Sequence, residues 1–236
     1  MKLFEECMMG VERLLTDVPV RIFAYTSNAV WPDEGRNQMI FQSDAAYELG
    51  AGELPALSGV LFTDSTDRVE NDEILVYGKD LSELDDNSPY ARITFVRIKE
   101  SNTQDTNALF QLLRRIDYSR YHINPKGFMM RISAKSRREV VRVSKTACKE
   151  GISFHEVGNL FVDAYHKHPE VEAVKVIFIT LPDFPYNEME ELLIHAEDMT
   201  KALDHLAKKV TMDCRACNLK EVCAEVEALC NTEKEM

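Results

Sequence analysis

The chain has 236 residues, 45% hydrophobic and 29% charged, enough for one sizeable core or a domain with a small appendage. Its formal net charge of −12 repels phosphate backbones and argues against nucleic-acid binding. The N-terminal "MKLFEECMMGVERLL" breaks its apolar residues with Glu5, Glu6 and Glu12, so it is no secretory signal, and the purest apolar run, "VIFI", is too short to span a membrane. A cytoplasmic protein with reduced cysteines is expected.

In chain order, "EECMMGVERLL" reads as a short amphipathic helix and "PVRIFAY" as a strand. "SNAVWPDEGRNQ" reads as a loop, and "YELGAGELPALSGVLFTD" as a Gly- and Pro-punctuated turn entering a strand. "DEILVYGKDL" and "ARITFVRIKE" are strands separated by the acidic turn "SELDDNSP". "QDTNALFQLLRRIDYSRY" sets Leu109, Leu112, Leu113 and Ile116 at helical spacing, and "GFMMRIS" is a short strand. "SRREVVRVSKTACKEG" is expected to be a helix opened by a Ser136/Glu139 capping box and stopped by Gly151. Ser153 and Glu156 repeat the device for "SFHEVGNLFVDAYHKH", which Pro169 ends. "AVKVIFIT" is a strand, and "NEMEELLIHAEDMTKALDHLAKKV" a long amphipathic helix. This order predicts an α+β fold, a mixed β-sheet covered by helices, with a short helical Cys-rich C-terminal segment. The expected divisions are an extension over 1–41, an α+β domain over 42–212 and a metal-binding segment over 213–236.

Four of the six cysteines fall in "TMDCRACNLKEVCAEVEALC", spaced Cys214-x2-Cys217-x5-Cys223-x6-Cys230. A C-x-x-C pair with further thiolates nearby suits tetrahedral zinc or an iron–sulfur cluster, and the loose second half favours iron–sulfur. The opposing reading is packing or, less favoured, a disulfide. Leu219, Val222, Cys223, Val226, Leu229 and Cys230 form one apolar helical stripe, and reduced cysteine packs as a small hydrophobe. An intact helix would hold Cys223 and Cys230 roughly 10 Å apart. Two thiolates on one zinc ion, each at about 2.3 Å, cannot be much more than ~4 Å apart. Either the helix breaks before Cys230 or Cys230 is not a ligand.

"YELGAGELPALSGVLF", "DEILVYGKDLSEL", "VRVSKTACKEGISFHEVGNLFVDAYHKHPEVEAVKVIFIT" and the cysteine stretch, in that order, resemble acetyl-CoA synthase. This is the β subunit of the carbon monoxide dehydrogenase/acetyl-CoA synthase complex. The resemblance covers about Gln42 to Cys230. It implies a [4Fe–4S] cluster on Cys214, Cys217, Cys223 and Cys230, and carbon monoxide dehydrogenase, a corrinoid protein and coenzyme A as partners. Two departures stand out. The later cysteine gaps are shorter than the family's, and the Cys-Gly-Cys that holds the distal nickel is missing. The resemblance therefore implies a truncated relative that keeps the cluster without the complete synthase reaction.

The segment Lys126–Lys149 carries eight cations against Glu139 alone. If helical, Arg138, Arg142, Lys145 and Lys149 form one positive stripe: an anion or docking face, with coenzyme A phosphates or an acidic partner implied by the resemblance, or a solvated face. His166 and His168 are expected at a helix end on the surface. No catalytic residue is assigned. Three functions compete: an iron–sulfur protein of one-carbon and corrinoid metabolism, a subunit completed by another chain's nickel ligands, and a metal-free interaction module.

Overall fold

The computed structural model describes residues 2–27, 30–99, 105–133, 137–208 and 217–232. At its centre β5 (Tyr90–Ile98) and β8 (Val171–Ile179) pair antiparallel. Both are apolar and buried along nearly their whole length, as strands covered on two faces must be. Beyond β8, β4 (Glu73–Tyr77) runs parallel to it and β1 (Arg21–Ala24) antiparallel to β4. Beyond β5 lies the parallel strand β3 (Ala56–Thr63). The order is β1-β4-β8-β5-β3, and a second, antiparallel sheet orders β2 (Ala45–Leu49), β7 (Glu139–Ser144) and β6 (Phe128–Ile132).

Helices cover both faces of the larger sheet, which establishes the α+β class. Alternation along β5 sends Arg92 and Ile93 to opposite sides. On one side the Arg92 guanidinium lies 4.2 Å from the ring centre of Phe161 in α4 (Phe154–His166). On the other, Gly59, the register partner of Ile93, leaves room for Leu193 of α5 (Tyr186–Lys208). Around α5 gather α1 (Glu5–Leu14), α2 (Thr106–Asp117) and α6 (Lys220–Thr232). No helix among the described residues is long and apolar enough to cross a membrane.

The helix expected to open at Ser136 does not form; Ser136 itself lies outside the described residues. Glu139–Ser144 is β7, and α3 (Lys145–Glu150) is only six residues long. Val140, Val141 and Val143 are β-branched and favour the strand, while Glu139, Val141 and Val143 alternate inward. Ser144 caps α3 instead, accepting from the Ala147 N–H at 3.0 Å. Gly151 does stop it, at φ 89°, and Ser153 caps α4 by accepting from the Glu156 N–H at 3.2 Å.

Glu139 has a different task from the expected one. Its carboxylate accepts from Arg92 Nε at 3.0 Å and Arg92 Nη2 at 2.5 Å, joining the two sheets through a pair with 0% exposure on both sides. The Tyr90 hydroxyl donates to the same carboxylate at 3.1 Å, and Arg92 also donates to Thr94 Oγ1 at 3.1 Å. Burial works against the charge on Arg92, but the attraction and hydrogen bonds of Glu139 outweigh it and raise the guanidinium pKa. The larger sheet's edges differ in cover. At β3 the Ser58 N–H donates to the Arg137 carbonyl at 2.7 Å. At β1, Ile22 is 61% exposed.

Candidate metal centre

Cys217 stands just before α6, its carbonyl accepting from the Lys220 N–H at 3.4 Å. The Cys223 N–H donates to the Leu219 carbonyl at 2.8 Å, so Cys223 already belongs to the helical ladder. The helix then runs unbroken through Cys230 to Thr232. Seven residues of intact helix put about 10 Å between the Cα atoms of Cys223 and Cys230. Cys223 and Cys230 pack against the core with Val222 and Leu229, and Val226 between them is fully buried. Cys214 lies outside the described residues. Among the described residues, no three His, Cys, Asp or Glu side chains gather to hold a metal ion.

The donor set nevertheless suits a thiophilic centre at the mouth of α6. Cys217 and Cys223 flank the helix start. Cys230, two turns further on, fits poorly. The remaining cysteines make weaker ligands. Burial, then the charges of Glu225 and Glu6, pushes the Cys7 thiol up to about 12, which keeps it protonated. Burial raises Cys148 likewise.

The cationic stripe dissolves once its helix is replaced by a strand and a short helix. Arg138 and Arg142 lie on β7 or just before it, and Lys145 and Lys149 on α3. Three of the four hold the local fold. Arg138 donates to the Gly50 and Gly52 carbonyls at 2.8 and 2.6 Å. Arg142 bonds Glu48 and the Ile40 carbonyl, the latter at 2.7 Å, and Lys145 donates to the Ser43 carbonyl at 2.9 Å. The four cations therefore do not share one helical face.

The two neighbouring histidines are half-buried and part company. His166 Nε2 lies 2.9 Å from both Asp72 carboxylate oxygens; that hydrogen bond raises its pKa against the opposing effect of burial. His168 Nε2 lies 2.7 Å from Ser119 Oγ, and burial followed by the charge of Arg115 lowers its pKa. The buried Arg92–Glu139 pair was the feature least visible in the sequence. Its one signal is an arginine in the apolar strand "ARITFV", which demands a buried partner.

Residues 34–183 match the family described as the CO dehydrogenase/acetyl-CoA synthase complex beta subunit. No match is found among curated proteins. The matched range takes in both sheets apart from β1, with α2 to α4, and ends before α5 and the cysteine stretch. With more than half of its length inside that range, the chain belongs to the CO dehydrogenase/acetyl-CoA synthase complex beta subunit family.

Proposed function

We propose that this chain is an iron–sulfur-binding member of the family, acting in one-carbon and corrinoid metabolism beside carbon monoxide dehydrogenase or a corrinoid protein. Cys214, Cys217 and Cys223 would hold a [4Fe–4S] cluster, with the fourth ligand drawn from outside α6. The observation that carries this reading is the placement of Cys217 and Cys223 on either side of the α6 start, in a chain of this family. When bound, such a cluster supplies one-electron redox chemistry. The protein's own part is to present cysteine sulfurs at a helix start and to keep the rest of α6 packed on α5.

A second reading is a metal-free interaction module. It is favoured by the packing of Cys223 and Cys230 against the core. One experiment separates the two: anaerobic purification followed by reconstitution with ferrous iron and sulfide. The cluster reading expects about four irons and about four sulfides per chain and a brown colour. It expects loss of both in Cys214→Ser, Cys217→Ser and Cys223→Ser, and retention in Cys230→Ser. A parent protein that takes up no iron, or uptake unchanged in the Cys217 and Cys223 variants, supports the packing reading.

A further inference from the structure

A cavity of about 240 Å³ opens at the β3 edge of the larger sheet, between the C-terminal end of α2 and α5. No cysteine is among its described lining residues. Three polar groups in its wall are short of hydrogen-bond partners. Ser58 is 0% exposed, and its Oγ makes no hydrogen bond. The Nε atoms of Arg120 and Arg137 are also buried without one. Arg120 Nε stands 3.3 Å from Asp117 Oδ1, close enough for charge attraction but without hydrogen-bond geometry. Arg137 uses its Nη1 on Glu197.

The ion pairs leave the Nε donors unsatisfied. Among the described residues, Arg120 and Arg137 are matched by Asp117 and Glu197, and Arg114 at the rim is exposed, but both guanidinium Nε atoms still lack an acceptor. Buried donors left without acceptors are rare in folded proteins, and each calls for a ligand or ordered water. A carboxylate supplies the missing acceptors. The rest of the wall is apolar, with Leu61, Leu113, Leu193 and Ala196. A tetrahedral phosphate would press an oxygen against those side chains. A planar carboxylate with a hydrocarbon tail would not, and its shape suits the fork of a guanidinium.

We propose that this cavity binds a small monocarboxylate, its carboxylate towards Ser58, Arg120 and Arg137 and its short alkyl tail against Leu113 and Leu193. Nothing in the proposal depends on the cluster, so each can fail alone.

Butyrate is the probe, followed by saturation-transfer NMR and calorimetry on the full chain, with inorganic phosphate and butylamine as comparators. Butyrate is expected to bind saturably with a Kd of about 1 mM or tighter, and both comparators at least about tenfold more weakly. Arg137→Gln should weaken butyrate by about tenfold or more, since it removes a charge-assisted hydrogen bond. Ser58→Ala removes a single hydroxyl from a buried site, keeps the fold and should weaken butyrate by about threefold or more. It carries the test if Arg137→Gln unfolds. Butyrate showing no saturation up to about 10 mM, phosphate binding as tightly as butyrate, or an affinity unmoved by these substitutions would each overturn the assignment.

Discussion

Replacing Glu139 by methionine keeps the side-chain volume roughly constant and takes away the carboxylate that hydrogen-bonds the Arg92 guanidinium. Neither residue is exposed, so water cannot take the carboxylate's place. Removing one partner of a buried pair costs about 3–5 kcal/mol, because the other charge stays behind unmatched. For a chain of this length each 1 kcal/mol shifts Tm by about 2–4 °C, so the variant should melt about 6–20 °C below the parent. The Tyr90 hydroxyl loses its acceptor in the same step, which places the expected value in the upper part of that range. Replacing both members, Arg92→Met with Glu139→Met, abolishes the charge imbalance and should recover at least half of the loss. Urea unfolding of the parent, both singles and the double gives the coupling directly. A Glu139→Met protein within about 1 kcal/mol of the parent, or a double variant no better than the worse single, refutes the role given to this pair.

Two further outcomes follow from local geometry. Gly50 and Gly151 both hold positive φ, at 70° and 89°, but a Cβ on Gly50 would come 2.3 Å from the Ala56 Cβ, while one on Gly151 meets nothing within 4 Å. Gly151→Ala should therefore cost about 1–2 kcal/mol of backbone strain and Gly50→Ala clearly more, and equal losses in denaturant unfolding would contradict the contact. For the histidines, NMR titration should find His166 ionising above its usual 6.5 and His168 below it, with Asp72→Asn drawing His166 down. Because the folded-state pKa of His166 is raised, its contribution to stability is complete below about 6.5 and disappears as pH climbs through the raised value. A His166 that titrates below His168 would show that the Asp72 contact does not govern its charge.

Much of this fold is legible from residue order, because local signals and burial agree. "AVKVIFIT" becomes β8 and "ARITFVRI" becomes β5, since long β-branched and aromatic runs have few other ways to be buried. The cap at Ser153 and the stop at Gly151 act within a few residues, so their chemistry is written beside the helices they bound. Residues 138–149 mislead because their cations fit a 3.6-residue period as their valines fit a period of two. What decides between them is Arg92, 47 residues away, which requires Glu139 on the core side of a strand. Strand order is hidden for the same reason: β4 finds its parallel partner in β8, and β3 skips β4 to reach β5. The cavity at the β3 edge draws on four separated stretches, and no spacing rule links Ser58, Asp117, Arg137 and Leu193.

The unequal borders of the larger sheet bear on self-association. A ribbon that can grow at both margins polymerises; one that can grow at a single margin stops at two copies. Here the margin beside Ser58 is occupied by the Arg137 carbonyl and flanked by helices, and the four residues from Arg21 to Ala24 form the other. Two molecules laid antiparallel along that short stretch, Ile22 towards Ile22, would use up each other's growing margin. Pairing along that edge would therefore close at two copies.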